Sequence, residues 1–129
     1  MWSYFYETGE LKQEIEYNEG IENGEFKLFH ENGLLAYTGM IVNGKHQGLW
    51  KEYYENGQIQ EESMFTDDTC FPVNFWRENG EQILIKGTGM KIAKYGTESM
   101  EDVYEQYFDN GKFVKEIKIK GYKFLGFVP

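Results

Sequence analysis

The chain has one cysteine, Cys70, two prolines and two histidines in 129 residues. A lone cysteine excludes an internal disulfide framework and fits a reducing compartment. It reads as a small packed or half-exposed residue. No basic N-terminal region precedes an apolar run, so no signal-peptide pattern is present and the expected location is cytoplasmic. No apolar stretch approaches the ~20 residues that a helix needs to span a bilayer. Positive charge is also scarce: 13 lysines and arginines face 22 acids, a net charge of −9. That balance argues against binding nucleic acid or an anionic membrane surface, and it favours a basic partner. The histidines, His30 and His46, lack the spacing of a metal site, and neither a metal nor a cofactor is expected. His30 on an apolar face reads as a satisfied or partner-contacting residue, and His46 as solvent-facing.

What the chain has in abundance is aromatic side chains, 18% of residues, set among charges. Such rings suit a thin sheet better than a thick aliphatic core. They are organised around a turn signal. Trp50-Lys51-Glu52-Tyr53-Tyr54 stops at Glu55-Asn56-Gly57 and resumes as a strand-like run from Ile59. An Asn-Gly pair between such runs is a strong hairpin signal, because both residues tolerate positive φ. It recurs at Asn32-Gly33, Asn79-Gly80 and Asn110-Gly111, with Thr8-Gly9 as a weaker copy. The glycines Gly9, Gly33, Gly57, Gly80 and Gly111 lie 24, 24, 23 and 31 residues apart, which marks a repeat protein. Repeats of one domain run approximately over 2–24, 25–48, 49–72, 73–96 and 102–126. The last places Val103–Gly111 over Leu49–Gly57, leaving Thr97–Asp102 as a loop or a single helical turn.

Two registers are open at each hairpin. A two-residue Asn-Gly turn pairs Tyr54 with Ile59. A three-residue loop with a bulged glycine pairs Tyr53 with Ile59, and likewise Phe5 with Leu11, Phe29 with Leu35 and Tyr107 with Phe113. A slip of one residue swaps the faces.

Comparing the repeats with one another separates recurring from variable positions. Four residues before the turn glycine stand Phe5, Phe29, Tyr53, Trp76 and Tyr107; seven before stand Trp2, Phe26, Trp50, Val73 and Tyr104. Recurrence of that kind reads as packing between neighbouring repeats. Three before stand Tyr6, His30, Tyr54, Arg77 and Phe108; five before stand Tyr4, Leu28, Glu52, Phe75 and Gln106. These two sets share a face and vary. The candidate partner-binding residues are therefore Tyr4, Tyr6, Leu28, His30, Glu52, Tyr54, Phe75 and Arg77.

Catalytic patterns are lacking. Gly87-Thr88-Gly89 has neither the following helix nor the lysine of a phosphate loop. Glu61-Glu62 and Asp67-Asp68 are assigned to solvated strand and loop faces. A single-layer sheet offers few deep, dry clefts, so no enzymatic activity is expected.

The pattern aromatic-aromatic-acid-Asn-Gly, as in Tyr53-Tyr54-Glu55-Asn56-Gly57, followed by a strand and a Gly-x3-Gly link such as Gly44-Lys45-His46-Gln47-Gly48, resembles the bacterial variant MORN repeat. Chains built mainly of it resemble the YwqK-like antitoxin family. The likeness implies an all-β stack of antiparallel hairpins, about five MORN-type repeats in one elongated, twisted sheet. It also implies an immunity role, in which the protein binds and blocks a cognate toxin. With the acidic charge, the expected toxin is basic, such as a nuclease or nucleic-acid-modifying domain, its active site covered by the sheet. The alternative is a MORN-type scaffold or membrane-associated interaction module, for which Lys112, Lys115, Lys118, Lys120 and Lys123 supply the one basic face. The link Thr66–Pro72, which has lost both glycines, and the insertion near Gly96–Asp102 depart from the pattern.

The turn reading has a direct check. Gly57→Val should destabilise the fold by more than ~1 kcal/mol, because a β-branched residue resists positive φ. An unchanged melting temperature would remove the turn.

Overall fold

A 24-residue period with a reversal in each half leaves room for two strands of eight or nine residues. The computed structural model describes residues 1–96 and 101–120. They form eleven strands: β1 (Trp2–Phe5), β2 (Leu11–Asn18), β3 (Ile21–Phe29), β4 (Leu35–Val42), β5 (Lys45–Tyr53), β6 (Ile59–Thr66), β7 (Thr69–Trp76), β8 (Gln82–Ile85), β9 (Thr88–Tyr95), β10 (Asp102–Asp109) and β11 (Lys112–Lys120). Each pairs antiparallel with its sequence neighbours, in the order β1 to β11, and the sheet stays open. The all-β class of stacked hairpins is as the sequence reads, and there is no helix among the described residues.

Two kinds of turn alternate at the two ends of the sheet. After β1, β3, β5 and β7 the loop has three residues. Tyr54 N–H donates to Gln58 O at 2.8 Å and Gly57 N–H donates to Tyr54 O at 3.0 Å, with Gly57 at φ +90°. Matching bonds recur at Gly9, Gly33 and Gly80. This selects the bulged-glycine register and pairs Phe5 with Leu11, Phe29 with Leu35 and Tyr53 with Ile59. The asparagine has a different task from the one its φ tolerance suggests. Asn32, Asn56 and Asn79 do not take positive φ. Their Oδ1 atoms instead accept the N–H of Leu34, Gln58 and Glu81, each at 2.9 Å. That is the short-range bond that favours Asn in turns.

At the other end the turns have two residues, both at positive φ: Glu19-Gly20, Asn43-Gly44, Asp67-Asp68, Lys86-Gly87 and Asn110-Gly111. This is the twist-matched hairpin turn of type I′. The glycine-less copy is tied down by side chains. Asp68 Oδ1 accepts His46 N–H at 2.7 Å, and Gln47 Nε2 donates to Asp67 at 2.6 Å.

Asn110-Gly111 therefore belongs to the second series, which corrects the phase of the fifth repeat. Alternate turns of a meander lie at opposite ends, and the β9–β10 connection occupies the place after Gly80 in the first series. Gly111 aligns with Gly87, 24 residues earlier, and its N–H donates to Gly87 O at 2.9 Å. Val103–Gly111 does not superpose on Leu49–Gly57. Tyr107 pairs with Lys115, and Phe113 faces Phe108 rather than Tyr107. Of the expected loop or helical turn at Thr97–Asp102, residues 97–100 lie outside the described residues, and Asp102 opens β10.

A second recurring device was not read from the sequence. The returning strands each carry one unpaired residue three positions past the turn glycine: Lys12, Ala36, Gln60 and Ile83. Such bulges increase local twist and bend the strand. The bend brings distant strands together. Lys91 of β9 reaches Glu61 of β6 at 2.7 Å, although strands three places apart in a flat sheet are separated by about 14 Å.

The apolar core lies within this curl. Trp50, 1% exposed, and Leu84, fully buried, are its largest enclosed side chains. Trp50 is ringed by Phe26, Tyr37, His46 and Phe65, with centroids 4.3 to 5.8 Å away. His46 packs against both Trp50 and Phe65 while its side chain stays 36% exposed, so the solvent-facing assignment holds only in part. The Trp50 indole lies on the backbone of Gly39, where a β-carbon would overlap ring atoms Cδ2 and Cε2. At the outer edge strand the recurring rings are poorly covered: Trp2, which meets only the edge-on ring of Tyr17 among the described aromatic contacts, and Phe5 are 60% and 62% exposed. Strand alternation also places Trp50, Glu52 and Tyr54 on one face, so the packing and variable positions are not segregated to opposite faces.

Gly39→Ala should lower stability by about 2 kcal/mol, the usual scale for overpacking a filled site. Denaturant unfolding would measure it, and a loss below about 0.5 kcal/mol would mean that the indole can move aside.

Candidate functional site

The curled face encloses a groove of about 1280 Å³. One row of directly paired residues crosses the sheet: Tyr4, Gln13, Leu28, Tyr37, Glu52, Glu61, Phe75 and Leu84, each opposite the next across neighbouring strands, and Leu28, Tyr37, Glu52 and Phe75 of this row line the groove. Cross-strand partners share a face, so one position per strand becomes a stripe across the sheet. Seven of the eight candidate residues line the groove: Tyr6, Leu28, His30, Glu52, Tyr54, Phe75 and Arg77. Tyr4 does not. It lies with Trp2 and Tyr17 in a smaller depression at the edge of the sheet.

Several of these residues also hold the repeats together. Tyr6 Oη donates to Phe29 O at 2.6 Å, and Tyr54 Oη to Trp76 O at 2.6 Å. His30 Nε2 lies 2.9 Å from Tyr53 O. A carbonyl only accepts, so His30 carries its proton on Nε2. The side chain three before one turn glycine thus bonds the carbonyl four before the next. Arg77, the fourth in this series, pairs instead with Glu81 at 3.2 Å. Phe75, 2% exposed, is the floor of the groove.

The sequence reading missed Tyr37, Gln60, Ile92, Lys94, Val103 and Ile119 as lining residues. Tyr37 follows the bulged Ala36, and the last four come from strands brought in by the curl. Glu61 was misassigned to a solvated face. It is 8% exposed and receives both close contacts of Lys91 Nζ, at 2.7 and 2.9 Å. Ser63 Oγ donates to it at 3.1 Å. Its neighbour Glu62 accepts from Asn74 Nδ2 at 3.0 Å. The same curvature gives the single layer one broad, open groove.

Charge inside the groove is unevenly satisfied. Glu52 stands directly opposite Glu61. Burial, and then the Glu61 charge, push the Glu52 carboxyl above its ordinary value, against the opposing effects of Lys91 and His30. Among the described residues no hydrogen bond or ion pair is made to the Glu52 carboxylate. Burial raises Tyr37 and Tyr54 to about 12, with Glu52 adding to each. Both phenols therefore stay neutral donors. No cluster of three or more histidines, cysteines or acids suited to a metal occurs among the described residues.

A family model described as MORN repeat variant matches residues 1–19 and 47–67. These are corresponding hairpins, around Gly9 and Gly57, and they support a MORN-repeat protein built as a repeat scaffold or interaction module. No curated protein and no solved structure matched the chain.

The buried pair yields a stability test. Lys91→Met should cost about 3 kcal/mol, because it leaves the Glu61 carboxylate buried and uncompensated. Adding Glu61→Gln should recover part of that loss. Equal unfolding midpoints for the two variants would show that the cost comes from packing of the lysine stem.

Proposed function

We propose that this chain is a non-enzymatic immunity protein that neutralises a basic protein toxin by seating part of it in the groove and covering its active site. The observation that carries this reading is the groove itself, a concave surface in which Tyr37 and Tyr54 flank a carboxylate that has no cationic partner among the described residues. Aromatic anchors in a desolvated pocket are the usual source of interface affinity. A net charge of −9 steers a cationic partner toward the surface before those anchors engage. The resemblance to bacterial antitoxins supports the same role, and the MORN-type repeats supply the scaffold.

Two of the four lysines of β11 weigh toward this reading over a lipid-facing one. Lys115 lies over the Tyr107 ring at 4.9 Å, and Lys118 lies over Tyr104 at 5.9 Å while pairing with Asp102 at 3.3 Å. Both ammonium groups are thus already engaged.

Affinity capture by the tagged chain at physiological salt, read by mass spectrometry, tests the proposal. The expected result is one dominant basic partner whose association slows about tenfold or more as salt rises to about 1 M, where the Debye length is near 3 Å. An on-rate indifferent to salt would sink the electrostatic part. Recovery of anionic lipid or many envelope proteins would replace the immunity reading with a membrane scaffold.

A further inference from the structure

The groove contains a half-buried acid, Glu52, whose carboxylate has no ion-pair partner among the described residues. Glu61, directly opposite, is held by Lys91. Arg77 is held by Glu81. The remaining charged groups of the lining are Glu55, Glu78 and Lys94, so carboxylates exceed cations there. Beside Glu52 stand two phenols, Tyr37 across the strand pair and Tyr54 two residues on. The Tyr37 ring is already braced against Trp50, with centroids 4.9 Å apart. A half-enclosed carboxylate next to rigid rings suits a cation that both hydrogen-bonds and stacks.

We propose that Glu52, with Tyr37 and Tyr54, forms a receptor for one guanidinium group, the side chain of an arginine carried on a protruding segment of the partner. This deepens the immunity reading and rests on it for the identity of the partner. Arginine fits better than lysine. Its planar fork can donate two bonds to one carboxylate while its face lies on a ring, and it sheds water more readily than an ammonium. Binding would supply the compensation that Glu52 lacks in the free protein. The free protein carries this acid at a cost, since burial and Glu61 both favour its neutral form. A carboxyl raised in the folded state adds stability only at low pH and loses it as pH rises through that value. Replacement of Glu52 by glutamine at neutral pH should therefore leave the free fold as stable or more stable, while binding suffers. A residue kept for structure would show the opposite.

The test uses the full chain and N-acetyl-arginine-amide as probe, with N-acetyl-citrulline-amide as the isosteric neutral control. Backbone amide shifts are followed by NMR at pH 7. The arginine probe should produce saturable shifts at Tyr37, Glu52 and Tyr54, and the control should not. Glu52→Gln should weaken the site about tenfold or more, the factor expected for losing a charge-assisted bond, without lowering the melting temperature. Glu10→Gln, exposed and outside the lining, should leave the arginine shifts unchanged. Absent shifts, equal shifts with the neutral control, or undiminished binding by Glu52→Gln would each overturn the proposal. The two readings fail separately. A captured basic partner whose affinity ignores Glu52→Gln leaves the immunity role standing without the arginine receptor. Arginine binding with no protein captured does the reverse.

Discussion

A sheet with no second layer has to cover its apolar side chains with itself. In this chain the requirement is met where the Trp50 indole lies on Gly39, with Phe26, Tyr37, His46 and Phe65 around it. A flat sheet would leave such a ring half in water, and burying a large aromatic is worth several kcal/mol. The curl that encloses Trp50 also makes the groove. The core and the candidate site are thus products of one deformation, and the bulges at Lys12, Ala36, Gln60 and Ile83 are its repeated local source.

The repeats are joined by more than the strand ladder. Bonds from Tyr6, His30 and Tyr54 to carbonyls of the following repeat, and from Asn32 Nδ2 to Glu55 O at 2.8 Å, tie neighbouring turns together. The first three bonds each satisfy a carbonyl at the end of an odd-numbered strand, where the ladder gives way to the loop, and the fourth satisfies one in the loop itself. Tyr6, His30 and Tyr54 also line the groove, so the wall of the site is braced by the scaffold. A braced wall loses little conformational freedom on binding, which favours affinity.

Much of this was legible in the residues. The 24-residue spacing of Gly9, Gly33 and Gly57 and the alternation around them follow from turn chemistry and period-two strands, which narrowed the partner of Ile59 to Tyr53 or Tyr54 and left the choice to the structure. The face shared by Leu28, Glu52 and Phe75 was readable from their common offset before the turn glycine, and these residues do fall in one row. Gly111 was misplaced because an Asn-Gly pair serves both kinds of turn. Only the strand count shows which end of the sheet it occupies. Glu61 was misjudged because adjacent acids usually mark a solvated face, and the lysine that answers Glu61 is 30 residues away.

The sequence by itself determined the strand and turn alphabet, the repeat and the order of pairing, because those depend on contacts within one or two turns of chain. Tertiary structure alone decided that the sheet curls, that Lys91 meets Glu61, and that Glu52 stands beside Tyr37 and Tyr54. Curvature sums small bends over many strands. No 24-residue window contains that sum, and a change of a few degrees per bulge would separate side chains that lie three strands apart.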